Sequence, residues 1–312
     1  MTPTLAIIGG LLGAGKTTLI LAAARILEGR GLRAAAILND QSDDLVDTHL
    51  LRASQIACDQ VIGGCFCCRF PDLVSAIGRL AAFQPDVIFA EALGSCTDIA
   101  ATTLRPLQGS GPFRVAPLTV VVHPRNPFAD PHLDFLCRHQ IDEADLLFER
   151  ADDVASWLDR ALSATAEAGA KRITVDYARY AEAEAALAWL NVRLIAHADP
   201  PISAPMLVGP LMDRLEQQIR IVHLKVFAQS EAGYLKASLT GNAEEPQLEG
   251  ALDASPAAHH EILINLRALH DPAIVREIIV RETSSLPATI EWQRLECFRP
   301  APPVPYHTST ES

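Results

Sequence analysis

The sequence predicts an α/β protein, a parallel sheet with helices on both faces, followed by a smaller α+β domain. Three observations carry this reading. Strand-like and helix-like segments alternate through the first 200 residues, as in a parallel α/β sheet. A glycine-rich stretch, Gly10-Leu11-Leu12-Gly13-Ala14-Gly15-Lys16-Thr17, lies between the first apolar run and the first helical pattern. Beyond a Pro-rich break, the texture changes to short strands with polar turns and one helix.

In order, the expected strands are Leu5–Ile8, Ala34–Leu38, Asp86–Ala90, Leu118–Val122, Asp145–Phe148 and Arg172–Val175. The first five are apolar runs of the kind a sheet buried on both faces requires. Helices are expected over Thr17–Glu28, Pro71–Ala82, His132–Gln140, Val154–Ala168 and Ala178–Leu190. The stretch from Ala196 to Pro205 reads as a linker. A helix over Pro210–Gln218 follows, then strands Arg220–Ala228, Tyr234–Leu239, Gln247–Leu252 and Glu261–Leu266, and a helix Asp271–Arg281. The expected domains are therefore 1–200 and 201–298, with a Pro-, Ser- and Thr-rich tail at 299–312 expected to be mobile. There is no internal repeat.

The chain has 312 residues and a net charge of −12. That charge argues against nucleic acid or an anionic membrane as the main partner. No apolar run reaches the length of a membrane span, and Leu5–Ile8 is too short for a signal peptide, so a cytoplasmic protein is expected. The odd count of 7 cysteines does not suggest a disulfide framework.

The glycine-rich stretch matches G-x-x-x-x-G-K-[ST], the phosphate-binding P-loop, in its required strand–loop–helix setting. Glycines let backbone N–H groups turn inward around phosphate oxygens, and the helix N-terminus adds its positive end. Lys16 is expected to reach the β- and γ-phosphates and Thr17 to ligate Mg²⁺. An acidic residue is needed at the end of a second strand to hold the Mg²⁺ shell, and Glu91 supplies it. Lys16, Thr17 and Glu91 are thus the expected catalytic residues. Gly94, in Glu91-Ala92-Leu93-Gly94, allows a close approach to the γ-phosphate.

Gly64-Cys65-Phe66-Cys67-Cys68 is the second strong signal. Thiolates this close can converge on one soft or borderline metal ion, Zn²⁺ by default. An oxygen or nitrogen ligand, or water, would complete the site. Buried structural cysteines and a redox thiol cluster are the alternatives. Cys96, beside the switch, could add a thiolate or be a small packed residue. The histidines, His259-His260 in a turn and His132 and His139 on one helix face, read as exposed and unpaired, and His123 as structural.

Together, the P-loop, the Cys-x-Cys-Cys motif and the Glu-x-x-Gly switch resemble the CobW-like family of P-loop GTPases, which contains cobalamin-synthesis proteins, zinc chaperones and nitrile hydratase activators. The motif order covers residues 4–152 and the remainder is similar in architecture only. The resemblance implies a GTP/GDP site at Gly10, Gly13, Ala14, Gly15, Lys16, Thr17, Thr18 and Gly94, with Mg²⁺ at Thr17. It implies a transition metal, Zn²⁺ or Co²⁺, at Cys65, Cys67 and Cys68. Where the family has Asn-Glu-Phe-Gly, this chain has Asn39-Asp40-Gln41-Ser42, so Asp40 could join the thiolates; Asp47 falls near a further acidic position. The guanine motif Asn-Lys-x-Asp is replaced by Glu149-Arg150-Ala151-Asp152. Asp152 can still accept from the guanine edge and Arg150 can stack on the base, while an ionised Glu149 cannot donate.

The expected function is a GTP-hydrolysing metallochaperone that delivers its metal to a client metalloprotein or metal-dependent enzyme. The rival is a nucleotide-binding regulatory module whose thiolates sense metal or redox state. A small-molecule kinase ranks last, because it leaves the cysteines unexplained. The sequence does not set the oligomeric state.

Overall fold

The computed structural model describes residues 2–42, 46–122, 130–149, 151–163, 165, 167–241, 245–250 and 255–308. The chain divides into two compact units, residues 1–43, 47–183 and 302–312 in one and 44–46 and 184–301 in the other. From the N-terminus the elements are β1 (Thr4–Gly9), α1 (Lys16–Gly29), β2 (Ala34–Asp40), α2 (Val46–Ala53), β3 (Ala57–Ile62), α3 (Phe70–Leu80) and β4 (Val87–Glu91). They continue with α4 (Arg105–Leu107), β5 (Arg114–Val115), β6 (Thr119–Val122), α5 (Pro131–Glu143), β7 (Leu146–Glu149), α6 (Val154–Ala161) and α7 (Tyr177–Ala185). A π-helical turn, Ala100–Leu104, precedes α4.

The first sheet is parallel, in the order β3-β2-β4-β1-β6-β7, with β5 also beside β1. Leu5, Ile7 and Ile8 of β1 and Ile88, Phe89 and Ala90 of β4 are fully buried, as strands covered on both faces must be. Ile8 pairs with Glu91, Leu38 with Glu91 and Asp40 with Ile62. The carboxyl ends of β1 to β4 therefore finish along one edge, where parallel α/β sheets bind ligands.

Three expectations for this unit are corrected. Ala57–Ile62 is a strand that its polar residues hid; it lies at the sheet edge and is only partly covered. Arg172–Val175 is not a strand. Helix α6 stops at Ala161 because the Arg114 guanidinium takes the carbonyls of Leu162 (2.8 Å) and Ser163 (3.0 Å).

The second unit runs β8 (Ala188–Ile202), α8 (Ala204–Glu216), β9 (Ile221–Ser230), β10 (Gly233–Thr240), β11 (Gln247–Gly250), β12 (Ala257–Ala268), α9 (Pro272–Ser284) and β13 (Thr289–Phe298). Its antiparallel sheet has the order β11-β10-β9-β12-β8-β13. The stretch expected as a linker, and the end of the helix expected before it, form β8. Leu190, Val192, Leu194 and Ala196 alternate into the core with Leu207 and Leu211 of α8 and Val275 and Ile279 of α9. That period of two decides for strand over helix, and Pro200 and Pro201 sit at its exposed end, where a missing N–H is tolerated. The chain passes between units at Ala183 and Glu184, upstream of the expected boundary at 200. His259 and His260 lie within β12 and not in a turn. His260 is fully buried and its Nε2 donates to the Ile202 (2.9 Å) and Ala257 (3.1 Å) carbonyls. His259 Nδ1 is 2.8 Å from His197 Nδ1, so it is paired too. Among the described residues, no helix is long and apolar enough to cross a membrane.

Candidate nucleotide and metal site

The loop between β1 and α1 turns on glycines. Gly10, Gly13 and Gly15 adopt φ of 132°, 79° and 101°, which side chains with a Cβ rarely reach. A Cβ on Gly10 would lie 2.5 Å from the Val121 carbonyl oxygen, so the loop sits directly on β6. Ala14 N–H donates to the Leu11 carbonyl (3.1 Å), closing the turn. No side chain caps α1 at Gly15, so its first N–H groups face the loop. Buried Lys16 donates from Nζ to the carbonyls of Gly10 (2.8 Å) and Leu11 (3.4 Å). Thr18 follows, exposed, in the first turn of α1.

Between the start of α1 and the end of β4, Thr17 Oγ1 donates to Glu91 Oε2 at 2.9 Å, with both residues buried. A hydroxyl and a carboxylate side by side form the hard-oxygen donor set that suits Mg²⁺. After Glu91, the Ala92 N–H donates to the Ile8 carbonyl (2.9 Å) and the chain runs along the P-loop. A Cβ on Gly94 would lie 2.7 Å from Leu12 Cδ2 and 2.9 Å from the Leu12 backbone nitrogen. Gly94 thus permits the switch to touch the phosphate loop. Gln140 of α5 clamps the switch, its Nε2 donating to the carbonyls of Gly94 (3.0 Å) and Cys96 (2.8 Å). Further on, Asp98 takes a positive φ of 61° and accepts from the Tyr177 hydroxyl at 2.7 Å.

The Cys-x-Cys-Cys loop joins β3 to α3. The ligand atoms of Cys65, Cys67 and Cys68 all lie within 4.8 Å of one another, and they form the one such group of three or more His, Cys, Asp or Glu side chains among the described residues. Cys65 and Cys68 sulfurs are 3.1 Å apart, Cys67 and Cys68 3.8 Å, and Cys67 and Cys96 3.9 Å. Hydrogen bonding from Cys67, and then from Cys68 and Cys96, holds Cys65 well below the usual thiol range. The same sharing pushes Cys67 and Cys96 up and Cys68 to about 12. Sulfurs this close are an arrangement suited to a soft or borderline cation.

Asn39, buried at the end of β2, organises this loop. Its Nδ2 donates to the carbonyls of Val61 (3.0 Å) and Gly64 (2.7 Å), and its Oδ1 accepts from Phe66 N–H (3.0 Å). The neighbouring Asp40 is outside the converging group. Its Oδ1 accepts from the N–H groups of Gln41 (2.7 Å) and Ser42 (3.4 Å) in a turn. Asp47 lies in the first turn of α2. The segment expected to be mobile touches the cysteine loop at Val304 and Tyr306. Val304 N–H donates to Cys68 Sγ (3.3 Å) and Tyr306 N–H to the Cys67 carbonyl (2.8 Å). The Phe70 ring stacks on Tyr306 and meets His307 edge-on, 4.6 Å between ring centroids. These backbone donors and the ring supply the anchoring that Pro-rich composition did not disclose.

Arg150 and His123 lie outside the described residues. Asp152 is in the turn after β7, its Oδ2 accepting from Glu149 N–H at 2.8 Å.

Sequence reasoning assigned no role to Asn39 or Gln140. Asn39 stood in a recognised motif position and was legible there. Gln140 was one polar residue on a helix, with no local signal.

Fold and site together define a P-loop nucleotide-binding protein with a cluster of thiols at the same sheet edge. Residues 4–172 match the family model for the CobW/HypB/UreG nucleotide-binding domain, and the chain belongs to that family. The chain is also similar to the Zn(II)-bound YjiA GTPase from E. coli, 14% identical over 92% of this chain and 99% of that one, with a TM-score of 0.31. It is similar to HypB from Helicobacter pylori in complex with nickel, 14% identical over 58% and 73%, TM-score 0.35. A third likeness is to the hydrogenase maturation factor HypB from Archaeoglobus fulgidus, 20% identical over 47% and 66%, TM-score 0.32. These likenesses are distant and the family assignment does not rest on them. Comparison with curated proteins finds no match.

Proposed function

We propose that this protein is a GTP-hydrolysing metallochaperone: it takes up a transition metal, Zn²⁺ in preference to Co²⁺, at Cys65, Cys67 and Cys68, and hands it to a client metalloprotein. The observation that carries the reading is the convergence of the three sulfurs at the sheet edge that also bears Lys16, Thr17 and Glu91. Gly10, Gly13, Gly15 and Thr18 present backbone N–H groups to the phosphates, Ala14 holds the loop's turn through the Leu11 carbonyl, and Lys16 adds its charge between the β- and γ-phosphoryl oxygens. Thr17 and Glu91 would hold Mg²⁺, which supplies charge neutralisation on those oxygens. Hydrolysis then rests on positioning and electrostatics, with no covalent intermediate. Asp152 and Arg150 are assigned to the base, with guanine favoured over adenine.

The link between the two activities is the segment from Glu91 to Cys96. It touches the P-loop at Leu12 and the thiols at Cys67. A γ-phosphate that orders this segment alters the metal site, and hydrolysis releases it. The test is a pair of assays on the full chain. Mg²⁺-dependent GTP hydrolysis should vanish in Lys16→Ala, and Zn²⁺ binding in Cys67→Ala. Zn²⁺ binding without hydrolysis, with or without client, would favour the regulatory module.

A further inference from the structure

We propose that Cys96 is a fourth thiolate ligand of the metal centre, so that the cargo ion is held by Cys65, Cys67, Cys68 and Cys96. This deepens the metallochaperone reading and rests on it. Cys96 comes from a different part of the chain, the loop after β4, yet its sulfur is 3.9 Å from that of Cys67. In a tetrahedral thiolate site with metal–sulfur bonds of about 2.3 Å, neighbouring sulfurs are about 3.8 Å apart. The Cys67–Cys68 and Cys67–Cys96 separations of 3.8 and 3.9 Å already match that edge. Cys96 and Asp40 both lie outside the group of three whose ligand atoms are all within 4.8 Å of one another, but the Cys96 sulfur is within reach of Cys67, whereas Asp40, the fourth ligand the sequence suggested, accepts from the backbone of its own turn.

The backbone that carries Cys96 is held in place. Its N–H donates to the Leu93 carbonyl (2.9 Å), and its carbonyl accepts from Gln140 Nε2 (2.8 Å). Cys96 is fully buried, so a cation reaching it is shielded from water. Each thiol that binds gives its proton to solvent, and four thiolates select a tetrahedral, soft or borderline divalent cation.

The fourth ligand also gives the nucleotide a means of action. Cys96 is on the segment that begins at Glu91 and touches Leu12 at Gly94. With the switch in this arrangement, four thiolates close the site. Displacement of the switch withdraws one ligand and leaves three thiolates with an open position, through which a client thiolate or imidazole can take the ion.

The test loads the full-length protein with Zn²⁺ and counts sulfur neighbours by X-ray absorption, in wild type, Cys96→Ser and, as a control, Cys137→Ser. The expected result is four sulfurs in wild type and Cys137→Ser, and three sulfurs plus one oxygen or nitrogen in Cys96→Ser. Zn²⁺ affinity of Cys96→Ser should fall by about tenfold or more. Three sulfurs in wild type, or four retained in Cys96→Ser, overturns the assignment while leaving the metallochaperone reading intact. No Zn²⁺ bound by wild type overturns both. The wild-type count needs no variant, so it decides even if Cys96→Ser fails to fold.

Discussion

Replacing Asn39 by alanine removes three hydrogen bonds that hold the cysteine loop against β2 and β3. Their partners, Val61 O, Gly64 O and Phe66 N–H, belong to buried residues, so water does not readily replace the lost side chain. Each bond contributes about 1 kcal/mol net, and a buried partner left unsatisfied costs about 1–3 kcal/mol. The combined loss is about 3 kcal/mol or more. In a unit of this size that lowers Tm by about 6–12 °C. The loop also loses its preorganisation for metal, and Zn²⁺ affinity should fall about 10- to 100-fold. Asn39→Asp sharpens the test. It keeps the acceptor for Phe66 N–H but sets a carboxylate against two carbonyl oxygens, so it should be no more stable at neutral pH than the alanine variant. Thermal unfolding and chelator competition on the apo protein measure both effects. A Tm within about 2 °C of wild type with unchanged Zn²⁺ affinity would refute the role given to Asn39.

Three further outcomes follow from the same geometry. Gly94→Ala forces a Cβ to 2.7 Å from Leu12 Cδ2 and 2.9 Å from its backbone nitrogen; this costs about 1–3 kcal/mol and should weaken binding of a fluorescent GTP about tenfold, whereas Gly78→Ala, in open space, should not. Glu143, buried beneath the switch and accepting from Ala100 N–H (2.9 Å), has its carboxyl raised from 4.5 to about 8, chiefly by burial. The folded state therefore holds a proton that the unfolded state loses, and this contribution is fully present below about pH 4.5. Stability should fall by ~1.4 kcal/mol per pH unit as pH rises between those values; urea unfolding of Glu143→Gln should lack that slope, and parallel curves would contradict it. Removing residues 302–312 deletes the donors to Cys68 Sγ and the Cys67 carbonyl, so Cys68 alkylation should quicken about fivefold while that of Cys137 stays constant.

Much of the nucleotide half was legible in the sequence, because its signals are local. The P-loop fixes glycine at positions of positive φ, and buried parallel strands read as apolar runs. Ala57–Ile62 escaped because an edge strand is not obliged to be apolar. The second unit was less legible: Pro200-Pro201 masked β8, whose strand character comes from pairing with β12 and β13 and from packing under α8 and α9. At the site, Cys65, Cys67 and Cys68 announced themselves by spacing. Asn39 was legible as a motif position and Cys96 as a cysteine beside the switch, but their contacts, like those of Gln140, join distant parts of the chain, which spacing does not encode. The Pro-rich tail has a composition that lacks a core, yet its backbone donors find partners on the cysteine loop and two of its rings meet Phe70 of α3.

The central claim is that nucleotide and metal are coupled through the segment from Glu91 to Cys96. The most direct measurement is Zn²⁺ affinity by chelator competition in three states: without nucleotide, with GDP and with a non-hydrolysable GTP analogue. A change of about fivefold or more between the GDP and GTP-analogue states, lost in Cys96→Ser, is the predicted result. Equal Zn²⁺ affinity in all three states would contradict it.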